Sequence, residues 1–128
     1  TLNYLDLSGV AAEGVKLPVP PIMIAEKLDD EDPIKSILLS YIKLYEGRWE
    51  VRPSVYGSYA FDAIYLYASA IRRARSFERE KIRKALERTE NYVGANGLVK
   101  MSSEDHLGLY SKAFRMVEIR DGEWVPID

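Results

Sequence analysis

The sequence predicts an α/β fold in which three helices and a C-terminal β-hairpin form one portion of a larger structure. Three observations predict it. Apolar residues recur at helical spacing through the middle of the chain, the strand-forming runs are short and confined to the ends, and an Asp121-Gly122 turn closes the last two of them. Such helices carry broad apolar faces that a few short strands would struggle to cover. A larger sheet encoded elsewhere is therefore expected, and the chain reads as the C-terminal portion of a longer protein.

Taken in order, residues 1–17 read as a polar loop around Ser8 and Gly9, followed by a short strand entered through Ala11, Ala12, Glu13 and Gly14. Leu17 through Pro21 is extended but unfit for a central strand, because its prolines lack the amide donors that a ladder uses. Ile22 to Ala25 reads as a short strand beyond this stiff crossing. Asp32-Pro33 opens a helix over 33–46, with Ile34, Ile37, Leu38, Tyr41, Ile42 and Tyr45 on its apolar face and Gly47 as its stop.

A second helix is expected from Ser58 to Arg75, with Phe61, Ile64, Tyr65, Ala68 and Ile71 inward and several alanines allowing close approach. Ser76 reads as the cap of a third, ending near Thr89. Gly94 and Gly97 bracket a turn before a strand over Leu98–Met101, and Ser102–Gly108 reads as a polar loop. Ala113–Ile119 and Glu123–Ile127 form the closing hairpin, whose Asp-Gly turn supplies the positive φ angles that a tight connection needs.

At 128 residues, 47% apolar and 30% charged, the composition is ordinary for a globular domain. A net charge of -2 gives no overall pull toward nucleic acid. Positive charge does gather between Arg72 and Arg88, but Glu78, Glu80 and Glu87 sit at compensating spacings and the stretch reads as solvated helix surface. There is no cysteine, hence no disulfide framework and no thiol chemistry. No apolar run is long enough to span a membrane.

Little in the chain suggests catalysis. His106 is the only histidine and lacks the companions that a metal would need, so Ser102, Asp105 and His106 read as organisers of their own loop. Gly94-Ala95-Asn96-Gly97 lacks the lysine and the following helix of a phosphate-binding loop and reads as a tight turn. Neither cofactor nor metal is expected, and the chain is not read as an enzyme.

Tyr56 and Tyr59 are more suggestive of a ligand wall, since they flank the entry of the second helix, where amides near Ser58 favour an anionic group. Ordinary packing of half-exposed tyrosines is the reading that these residues alone favour. Asp62 suits the positive end of that helix or a ligand ammonium.

Several segments in order, Gly9 with Ala11-Ala12-Glu13-Gly14, Tyr59-Ala60-Phe61-Asp62-Ala63-Ile64-Tyr65-Leu66, Gly94-Ala95-Asn96-Gly97-Leu98-Val99, Met101 through Gly108, and Asp121-Gly122-Glu123-Trp124-Val125, resemble the C-terminal third of periplasmic substrate-binding proteins of the branched-chain amino-acid type. The resemblance spans essentially the whole chain. It implies a two-lobed Rossmann-like periplasmic binding fold closing over a small solute, with residues 1–21 ending one lobe, 22–111 forming the helical flank of the other, and 112–128 returning to the first.

It also implies extracytoplasmic binding of an amino acid or related carboxylate, delivery to an ABC permease, and a periplasmic or extracellular location. It puts Tyr56 where the family commonly covers its solute with an aromatic, and Ser54 and Tyr59 beside the cleft. Phe61 departs from the family's frequent tyrosine before Asp62 and removes a hydroxyl there. Expressed alone, such a portion would need another partner for its helix faces, for instance by self-association. The alternative is a small non-enzymatic interaction or ligand-sensing domain of a regulatory protein.

Overall fold

The computed structural model describes residues 3–127. A short helix α1 (Asn3–Ser8) and a 3-10 turn (Gly9–Ala12) lead into β1 (Lys16–Val19). A second 3-10 stretch (Pro21–Lys27) precedes the helices α2 (Lys35–Trp49), α3 (Val55–Ala74) and α4 (Arg79–Glu87). The chain then forms a small hairpin, β2 (Tyr92–Gly94) with β3 (Gly97–Val99), and a closing hairpin, β4 (Arg115–Arg120) with β5 (Glu123–Pro126). The α/β class and the three long helices agree with the sequence reading; α1, the 3-10 stretches and the β2–β3 hairpin are additions to it.

β4 is the centre of an antiparallel sheet of order β1-β4-β5. Pro18 lies opposite Met116 on β1, an edge strand, the place where a missing amide costs least. Val117 and Ile119 of β4 and Trp124 of β5 alternate inward. Asp121 and Gly122 take φ of 52° and 72°, and the Glu13 carboxylate accepts both of their amides at 3.0 and 2.7 Å. A turn read from two residues thus gains a long-range cap that spacing could not reveal.

Several local readings are corrected. The start of the chain is helical rather than a polar loop: Tyr4 meets Trp124 with ring centroids 6.1 Å apart, and Leu5 packs against the core, so tertiary contact organises a segment of weak local preference. Ile22–Ala25 is 3-10 rather than strand. Ile22, Ile24 and Ala25 are all buried, and Arg52 grips the Glu26 carboxylate at 2.7 and 2.9 Å to hold the coil.

Further on, α2 passes through Gly47 and ends only at Trp49, where Glu50 takes the left-handed conformation and its amide reaches back to the Glu46 carbonyl. Lastly, α4 starts at Arg79, because Ser76 accepts the Glu78 amide at 3.1 Å in the preceding turn instead of capping the helix directly.

The main core joins Ala12, Val19, Ile22, Ile24, Leu38, Ile42, Ala95, Val117, Ile119 and Trp124; a satellite of Ala70, Ile82 and Ala85 lies between α3 and α4. At the junction of α2 and α3, Tyr41 stacks on Phe61 at 4.7 Å and Phe61 on Tyr65 at 4.6 Å. Phe61 is therefore a packing ring here. By contrast Tyr56, Ala60, Ala63, Ile64 and Tyr67 line an exposed face of α3.

Candidate functional site

The residues nominated from sequence meet at the N-terminal end of α3. Pro53 and Ser54 precede the first turn, and Ser54 is the cap: its Oγ accepts the Gly57 amide at 3.2 Å, and its carbonyl receives the amides of Gly57 and Ser58. Tyr56 projects from that turn and is 75% exposed; Tyr59, one turn on, is 39% exposed. At i and i+3 the two rings share a side of the helix. A closed wall would need further residues, since Tyr56 stands clear of the surface while Tyr59 borders a pocket of about 180 Å³ shared with Leu66, Met101 and Leu107.

One side chain at this end of the fold is more deeply committed than the sequence suggested. Asp62 is buried, and its carboxylate accepts the amides of Ala95 and Asn96 at 2.7 and 2.9 Å and the Asn96 side-chain amide at 2.8 Å. Asn96 Oδ1 in turn accepts from the buried Ser58 hydroxyl at 2.9 Å. The carboxylate thus anchors the β2–β3 turn to α3. A Cβ on Gly94 would lie 2.7 Å from it, so only glycine lets the turn come this close. The nearby Tyr92 phenol is pushed above its ordinary pKa by burial first, and then by the charge of Asp62.

The tight-turn reading of 94–97 therefore stands, whereas Ser58 and Asn96 went unnoticed as its supports. Their only sequence signal was polar residues beside small ones, which is weak. The 102–108 loop is self-organised: Ser102 Oγ accepts the Glu104 and Asp105 amides at 3.2 and 2.9 Å, and Asp105 accepts those of Leu107 and Gly108 at 2.9 and 3.2 Å. His106 is exposed with its Nε2 3.5 Å from Glu87. Among the described residues no group of three or more His, Cys, Asp or Glu could hold a metal ion, and no helix is long and apolar enough to cross a membrane.

Comparison with solved structures fixes the fold. An extracellular ligand-binding receptor from Rhodopseudomonas palustris superimposes with a TM-score of 0.86 at 24% identity, over 100% of this chain and 38% of its own. A leucine-binding protein from Thermotoga maritima gives 0.71 at 19% identity, over 100% and 34%. The fold is that of type I periplasmic binding proteins.

A solute-binding protein of an R. palustris ABC transporter, solved with benzoate, gives 0.61 at 18% identity, over 96% and 31%. The chain thus spans about a third of the length of the structures it matches. No protein-family model matches it, and no curated protein does.

Proposed function

We propose that this chain is the closing portion of an extracytoplasmic solute receptor that binds an amino acid or related small carboxylate and presents it to an ABC permease. The observation that carries the reading is the agreement of the entire chain with ligand-binding receptors of this fold. In this reading residues 1–21 end one lobe, 22–111 flank the sheet of the second, and 112–128 return to the first. The exposed apolar face of α3 then lies against strands encoded upstream, and the location is periplasmic or extracellular.

Tyr56 covers the solute, with Tyr59 and Ser54 at the cleft edge. An exposed tyrosine at a helix start combines a large contact area with few rotatable bonds, and the helix end adds a field favourable to a carboxylate. The receptor works by closure: a solute that touches both lobes binds the closed state better and shifts the population toward it, and the crossing segments act as hinges. The relatives' ligands, leucine in one and benzoate in another, keep the solute class broad.

The reading is tested by a thermal-shift screen of the full-length protein against amino acids, their amides and aromatic acids. A ligand at a hundred times its Kd stabilises by about 2.7 kcal/mol and raises Tm visibly. No shift with any of these classes would count against the receptor reading.

A further inference from the structure

The turn between α3 and α4, at the far end of α3 from Tyr56, gathers positive charge that no carboxylate answers. Arg72, Arg75 and Arg79 are exposed and make no hydrogen bond or ion pair among the described residues. Their acidic neighbours are engaged elsewhere, Glu78 with Lys81 at 2.7 Å and Glu80 with Arg83 at 3.0 Å. Between Arg75 and Arg79 the Phe77 ring stands 86% exposed.

The tip is held rather than loose. Arg73 donates to Ser69 Oγ at 2.6 Å and to the Ala85 carbonyl and Thr89 Oγ1 at 2.8 Å each, tying the end of α3 to the end of α4. Ser76 accepts the Glu78 amide inside the turn. A fixed backbone therefore carries the exposed ring between two exposed arginines in the chain, Arg75 and Arg79.

A single exposed phenylalanine needs no explanation on its own. An exposed ring flanked by unpaired cations is another matter, because that composition enters a charged bilayer interface, with the ring at the acyl boundary and the cations among phosphates. We infer that the Arg72–Arg79 turn is a docking point for an anionic phospholipid surface. An acidic protein would offer the same charge, but a specific protein interface covers about 800 Å² on each partner around a pocket for its aromatic anchor. One convex turn provides no such area, whereas a fluid headgroup layer yields to a projecting ring. One ring and three arginines fall short of a stable anchor, so the association is weak, reversible and sensitive to salt.

The proposal stands apart from solute binding. α3 has 20 residues, which puts its ends roughly 30 Å apart. The test is co-sedimentation of the purified protein with phosphatidylcholine vesicles with and without phosphatidylglycerol, at low and high salt. Binding is expected only to the anionic vesicles at low salt. It should weaken about fivefold for each of Arg72→Gln, Arg75→Gln and Arg79→Gln, and about tenfold for Phe77→Ser.

These side chains have no partners to lose, and unchanged circular dichroism verifies folding. No binding to anionic vesicles at low salt, equal binding to neutral ones, or full binding by a variant carrying all four changes would overturn the proposal. Retention by a polyglutamate peptide without vesicle binding would instead assign the patch to an acidic protein.

Discussion

Asp62 shows how far a residue's role depends on distant parts of the chain. From sequence it suited a helix dipole or a ligand ammonium; in the fold its oxygens receive amides from residues more than thirty positions away. Local spacing cannot encode that pairing. Asp62→Ala leaves buried donors without an acceptor and is expected to lower unfolding free energy by about 3 kcal/mol in urea titrations. Gly94→Ala should cost about 1 to 3 kcal/mol by the same measurement, because its methyl group meets the carboxylate.

Glu26 offers a pH test at the same scale. Its hydrogen bond to Arg52 holds the carboxyl below the ordinary 4.5 despite partial burial. A depressed folded pKa contributes stability that is present above 4.5 and lost as pH falls through the lower folded value. Both partners are partly exposed, so screening limits the pair to about 1 kcal/mol. Glu26→Gln should accordingly flatten the loss of stability below pH 4.5 by no more than that amount, as read from urea midpoints across the acid range.

Among elements, the long helices and the closing hairpin were legible because apolar residues recur at helical spacing along α2 and α3, Asp32-Pro33 precedes α2, and Asp121-Gly122 joins β4 to β5. α3 begins at Val55, three residues ahead of the expected Ser58, because Ser54 caps it while Ser58 is buried against Asn96. The 3-10 stretch was illegible because Ile22-Met23-Ile24-Ala25 is too short an apolar run to separate strand from coil without knowing what buries it.

Helix docking explains Gly57. A Cβ there would approach the Tyr41 hydroxyl to 2.6 Å, whereas the ring carbon behind it would be 3.9 Å away. Gly57→Ala alone should therefore yield little or no gain despite the better helix propensity of alanine. In a Tyr41→Phe background the same change should stabilise by about 0.5 to 1 kcal/mol. A double-mutant cycle by thermal unfolding checks this, and equal effects in both backgrounds would contradict the packing argument.

For the molecule as a whole, the sequence suggested more apolar helix surface than its strands could cover, and α3 does expose Tyr56, Ala60, Ala63, Ile64 and Tyr67 on one side. The 128-residue chain produced alone is expected to self-associate through that face. Sedimentation velocity should then show oligomers that Ile64→Lys with Tyr67→Lys disperses, whereas a monomer at all concentrations would point to a self-sufficient domain. The ligand was far less legible than the fold, because the proposed edge of Tyr56, Ser54 and Tyr59 holds none of the groups that would clamp a carboxylate and an ammonium.

The receptor reading meets its most direct test in calorimetric titration of the full-length protein and its Tyr56→Ala variant with the solute found by screening. The account predicts saturable binding by the parent and a loss of about 1 to 3 kcal/mol in the variant, roughly ten- to hundredfold in Kd. Equal affinity in the two proteins would remove Tyr56 from the site, and no binding by the parent would contradict the receptor itself.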